Sequence, residues 1–142
     1  MDFAAVCGFL FESFEKEHIR FALIGGLALH ASGVTRTTED VDFLIARRRY
    51  ALAMLDRSIP LPVLGGRFTA RVVAPEDLIG LKVQSSINDP SRADHDRADI
   101  RNLMRNNLKN LDLDRIREYY ALFGKEEEFS QLLAEMKRAS NT

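Results

Sequence analysis

Two adjacent glycines, Gly25 and Gly26, close the short apolar run Arg20-Phe-Ala-Leu-Ile24, and a second apolar run beginning Asp40-Val-Asp42 follows them. The first run reads as a strand. Glycine alone tolerates the sharp backbone turn that would carry it into a helix over Leu27 to Ser32, with amides left open to a phosphate. The second strand, Val41 to Ile45, would then carry the acids. Residues i and i+2 of a strand point to one face, with Cα atoms roughly 6 to 7 Å apart. Carboxylates at that spacing can hold Mg²⁺, either one ion or a pair about 3.5 to 4 Å apart. Glycine turn and paired acids together have the layout of a metal-dependent phosphate site.

The rest of the composition narrows the class. At 142 residues the chain has the length of one domain, with a helix and sheet core over 1–74 and a helical part over 75–142. Hydrophobic residues make up 46% and charged residues 29% of it, as in a soluble globular protein. A net charge of −1 supplies no global field for nucleic acid, although a local patch would not register in that sum. The single cysteine, Cys7, excludes an internal disulfide and suits the cytoplasm. His18, His30 and His95 are too scattered for a zinc site, and no apolar run has the length of a membrane span or a targeting segment.

Along the chain, Asp2 is placed to cap a first helix through about Lys16, in which Phe3, Val6, Cys7, Leu10 and Phe14 recur at helical spacing. Phe9 and Phe11 widen that face. After the acidic strand, Arg47 to Leu55 is helical in character until Pro60 and Pro62 break it. Gly65-Gly66 then precedes a strand over Phe68 to Val73, and Pro75-Glu76-Asp77 starts a helix with its acids in the first turn. From there the pattern is helical, interrupted near Asn88-Asp-Pro90, Asn106-Asn107 and Gly124. The expected class is α+β, a small mixed sheet flanked by helices and followed by a helical C-terminal half.

Several polar residues break these patterns. Lys82 falls between Leu78 and Ile79 on the core-facing arc of its helix, and Asp96 falls in the middle of the stripe made by Ala93, Ile100, Leu103 and Met104. A buried unpaired carboxylate is costly, so Asp96 must pair, neutralise or line a cavity. Two accounts stay open: an interhelical ion pair, with the stripe leaving the core early as its variant, or two side chains that line one cleft. Asp99 lies at the edge of the stripe. Arg36 and Thr38, just before the acids, suit phosphate oxygens or the ordering of their own loop. Arg47-Arg48-Arg49 reads as a solvated helix start or a contact for nucleic acid.

The order strand, Gly-Gly, helix, Arg36-Thr-Thr38 and Asp-Val-Asp resembles the nucleotidyltransferase superfamily, whose fold is that of the DNA polymerase β palm. The later stretches APEDLIGLKVQ and DHDRADI extend the likeness across Arg20 to Leu103. Within the superfamily the chain looks most like bacterial nucleotidyltransferases of the abortive-infection toxin type, so a toxin-antitoxin setting is implied. The resemblance implies Mg²⁺-dependent transfer of a nucleotide from a nucleoside triphosphate to an acceptor hydroxyl, on RNA, a protein or a small molecule. It places Asp40 and Asp42 on the metal. Gly25, Gly26, Arg36, Thr38 and Lys82 would serve the nucleotide, and Asp96 would act near the metal or orient the acceptor.

The chain departs from the family's pattern in one respect. Active members supply a third carboxylate from a later strand, whereas the strand here offers Arg67, Thr69 and Arg71 and no acid. The segment between the two acid-bearing strands looks shortened away. Asp56 is a spare carboxylate on the wrong kind of element to replace it, and Asp96 could complete the shell. The alternative to an enzyme is therefore a degenerate module that binds a nucleotide or a partner without turnover. A shortened sheet also has edges that a second copy of the chain could cover, so a homodimer is expected.

Overall fold

The first helix shows how the aromatic residues organise the N-terminal part. In the computed structural model, which describes residues 2–46 and 49–140, α1 (Phe3–Lys16) starts where Asp2 accepts hydrogen bonds from the Ala4 and Ala5 amides. Phe11 and Phe14 of α1 meet Phe21 and Phe43 at ring-centroid distances of 5.0 to 6.1 Å, and Phe11 also meets Phe68 edge-on at 6.0 Å. Such pairs add roughly 0.5 to 1.5 kcal/mol each beyond their buried area, enough to pin the helix to one face of the sheet. Phe9, read as part of that face, is 69% exposed instead, because Cys7 and Phe11 set the buried direction and Phe9 lies between them on the other side.

The sheet is mixed and four-stranded, in the order β2-β1-β4-β3. Its strands are β1 (Phe21–Ile24), β2 (Asp42–Ile45), β3 (Ile59–Val63) and β4 (Phe68–Val72). β1 pairs antiparallel with β2 and parallel with β4, and β3 pairs antiparallel with β4. Between β1 and β2 comes the short helix α2 (Gly25–Ala31), and α3 (Arg49–Arg57) follows β2. Of the basic triplet, Arg47 and Arg48 lie outside the described residues, and Arg49 opens α3.

Two boundaries differ from the sequence reading. Pro60 and Pro62 were read as breakers, yet both lie within β3, paired across from Arg71 and Thr69. Prolines two residues apart turn their missing donors to the same side, and β3 is an edge strand, so that side needs no partner. Arg71 ties the strand down by donating to Ser58 Oγ at 2.8 Å and to the Ser58 carbonyl. The second difference is that β2 begins at Asp42 and leaves Asp40 in irregular chain.

The contacts divide the molecule into two compact units, Met1–Ala74 and Pro75–Thr142. The second is all helical: α4 (Pro75–Asn88), α5 (Ala93–Asn107), α6 (Leu113–Leu122) and α7 (Glu126–Ser140), with a single 3₁₀ turn at Pro90–Arg92. Asp89 starts that turn by accepting from the Ser91 amide, and Asp112 caps α6 by accepting from the Arg115 amide. Leu78, Ile79, Val83, Leu103, Met104 and Ile116 are among its buried apolar residues, and Tyr120 packs on Phe129 at 5.3 Å. Both acids of the first turn of α4, placed there on dipole grounds, are buried as well. Asp77 accepts from the Tyr119 hydroxyl at 2.6 Å and Glu76 from the Asp112 amide at 2.9 Å. No described helix is long and apolar enough to cross a membrane.

Candidate functional site

In the first unit the glycine turn and the acidic segment come together. Gly25 has φ +64°, in the left-handed region that side chains disfavour, and a Cβ built on it would lie 2.1 Å from Asp42 Oδ2. The Asp42 carboxylate therefore occupies the place where any other residue at position 25 would put its first carbon. The register explains the approach, since Ile24 is the cross-strand partner of Asp42 and the chain turns away at the next residue. Gly26 repeats the arrangement with Thr38, whose Cβ and Oγ1 both lie 2.6 Å from the place of a Cβ.

Asp40 is held by a different device. The Thr38 hydroxyl donates to the Asp40 carbonyl at 3.1 Å and accepts from the Asp40 amide at 3.3 Å. This local bonding competes with the sheet ladder and accounts for the late start of β2. The same-face alternation argued from sequence needs both acids on a strand, so it does not extend to Asp40. Both acids are exposed, as is Arg36. α2 opens at Gly25 with Ile24 in the cap position, whose apolar side chain makes no cap hydrogen bond.

These residues suit a hard dication on one specific ground. Mg²⁺ is held by one or two carboxylates, keeps several waters and takes its remaining ligands from substrate phosphates. Asp40 and Asp42 are the residues that would hold it, and the gap over Gly25 is where the Asp42 carboxylate is received. No group of three or more His, Cys, Asp or Glu side chains suited to a metal occurs among the described residues. The departure seen in the sequence has its place in the sheet: neither β4, beside β1, nor β3 beyond it carries an acid. Asp56, the spare carboxylate, sits on α3 and pairs with Arg20 at 2.7 Å.

Lys82, Asp96 and Asp99 form a cluster inside the second unit. The Lys82 ammonium lies 2.9 Å from Asp96 Oδ1 and 2.9 Å from Asp99 Oδ2, which joins α4 to α5. The interhelical ion pair, one of the two accounts open from the sequence, is formed, and Asp99 adds a second carboxylate to it. The Asp96 side chain is 1% exposed and its Oδ2 has no hydrogen-bond partner. Elsewhere on this unit a hollow of about 570 Å³ is lined by residues of α5, α6 and α7, none of them a candidate site residue from the sequence. Its charged walls are largely matched, Arg97 with Glu128 at 3.2 Å and Arg101 with Glu135 at 3.4 Å. Size alone does not make it the chemical site.

Compared with models of known protein families, the chain matches none, and no curated protein matches it.

Proposed function

We propose that the chain is a nucleotidyltransferase of the polymerase β palm type, which moves a nucleotide from a nucleoside triphosphate to an acceptor hydroxyl. The observation that carries this reading is the Asp42 carboxylate seated over Gly25, at the point where β1 ends and the chain turns. A glycine turn that receives a strand-borne carboxylate puts open backbone and a metal-ligating oxygen side by side. Asp40 and Asp42 would hold Mg²⁺, which supplies charge neutralisation at the α-phosphate and the leaving pyrophosphate. The amides at the start of α2, which Ile24 does not cap, would face phosphate oxygens. Arg36 and Thr38 flank the same loop. RNA, a protein or a small molecule would provide the hydroxyl, and a toxin-antitoxin pair is the setting the resemblance suggests.

A second reading is favoured by one observation. The strands next to β1 on the side away from β2 are free of carboxylates, so two acids do the work that three share in the related enzymes. On this reading the chain binds nucleotide with Mg²⁺ and does not turn it over. Transfer of labelled nucleotide by the wild-type chain into a cellular RNA or protein extract decides between the two, and Asp42→Asn tests the acid that carries the enzyme reading. An amide ligates the cation without neutralising it, so the enzyme should lose activity on the order of a hundredfold or more. Thermal unfolding should stay within roughly 0.5 kcal/mol of wild type, since Asp42 is exposed. Wild-type protein that binds nucleotide and Mg²⁺ but transfers nothing would establish the binding module in place of the enzyme.

A further inference from the structure

The two glycines receive two different residues of the acidic segment, Gly25 taking Asp42 and Gly26 taking Thr38. Only one of those two is an acid. Thr38 is partly buried, its β-carbon and hydroxyl fill the space over Gly26, and the same hydroxyl brackets Asp40 through both its amide and its carbonyl. One side chain thus joins the glycine turn to the acid that the strand does not hold. From these contacts we infer that Thr38 is a positioning residue for Asp40, one that fixes the backbone at the first acid relative to the turn carrying the second. This rests on the reading of Asp40 and Asp42 as metal ligands, and it takes Thr38 out of direct nucleotide contact.

The chemistry requires both halves of the threonine. The β-carbon sits against Gly26, where the chain leaves no room for a further atom. The hydroxyl is the only part able to satisfy a donor and an acceptor of one residue together. Valine keeps the shape and loses the hydroxyl. Serine keeps the hydroxyl and loses a methyl group.

The test compares Thr38→Val and Thr38→Ser with the wild-type chain by two measurements: Mn²⁺ affinity by electron paramagnetic resonance, and exchange of the Asp40 amide hydrogen without metal. Thr38→Val should weaken Mn²⁺ binding and speed Asp40 exchange, each by about fivefold, the usual net worth of a hydrogen bond. Thr38→Ser should keep both within about twofold of wild type on the same grounds. An unchanged Asp40 amide in Thr38→Val overturns the inference, as does a serine variant that falls as far as valine. If wild type binds no Mn²⁺ while valine still frees the amide, the positioning role stands and the metal reading fails.

Discussion

The two pairs of aspartates in this molecule have the same chemistry and opposite surroundings. Asp40 and Asp42 are exposed and are placed by glycines and a threonine hydroxyl. Asp96 and Asp99 are buried and share the ammonium of Lys82. An exposed carboxylate retains its hydration and can exchange water for a metal at small cost, whereas a buried one is already committed to the charge that allowed its burial. Spacing alone does not separate the pairs, since both read as acids at intervals that share a face. Solvent exposure does: the first pair is open to water, and the second is joined through Lys82 across α4 and α5.

The strongest test of that contrast is Lys82→Met, which leaves two buried carboxylates without their cation. Breaking a buried pair from one side costs about 3 to 5 kcal/mol, so chemical denaturation should show a loss of that size. A loss below about 1 kcal/mol, the range of an exposed pair, would mean that water reaches the cluster and the contrast is false.

A second test asks whether the interior of the helical unit is as dry as that cluster implies. The Tyr120 phenol is pushed up to about 12, first by burial and then by the nearby Glu128 carboxylate. Because its folded value lies above the unfolded value near 10, the stabilisation is complete below pH 10 and is lost as pH rises towards 12. The loss should approach about 2 to 3 kcal/mol, at 1.4 kcal/mol per pH unit. Unfolding followed from pH 9 to pH 12 with tyrosinate absorbance would check it, and Tyr120→Phe should flatten the profile.

The smallest effect is expected at the exposed pair. Gly25→Ala should cost at least about 1 to 2 kcal/mol for the left-handed backbone, since the exposed Asp42 carboxylate can swing away from the new methyl group while the Asp42 Cβ, 3.1 Å from it, must also shift. Mn²⁺ binding should suffer far more than stability. A variant that loses stability and keeps its metal would show that Gly25 serves the turn alone.

Much of the frame was legible in the sequence, and the losses have physical reasons. The Asp2 cap, the strand before Gly25 and the helix from Pro75 follow from local signals, and the chain obeys them. β3 is not legible from its prolines, whose interior penalty vanishes on an edge strand. Strand alternation extends to Asp40 in the sequence but not in the fold, because alternation takes no account of the neighbouring Thr38 hydroxyl. The position of Asp96 in an apolar stripe pointed to a paired acid, but not to Asp99 as a second partner of the same lysine. Asp77 gave no such warning. An acid in a first turn is ordinary, and its burial under Tyr119 arises from a helix far along the chain. At the site, the glycines and acids could be named from the sequence, while the seat of Thr38 over Gly26 is a fact of three dimensions.

The prolines of β3 have a consequence beyond the strand they occupy. A sheet lengthens by adding strands at its margins, and one margin here is capped by residues that have no amide hydrogen to offer. Growth in that direction is disfavoured, because Pro60 and Pro62 can offer carbonyls but no amide hydrogens to a new strand. The margin at β2 carries no proline, so any strand that joins this sheet must join beside Asp42. A sheet with one stopped end and one open end would act as a chain terminator: if two open ends paired, both would be consumed, and the series would close at two without extending into a fibre.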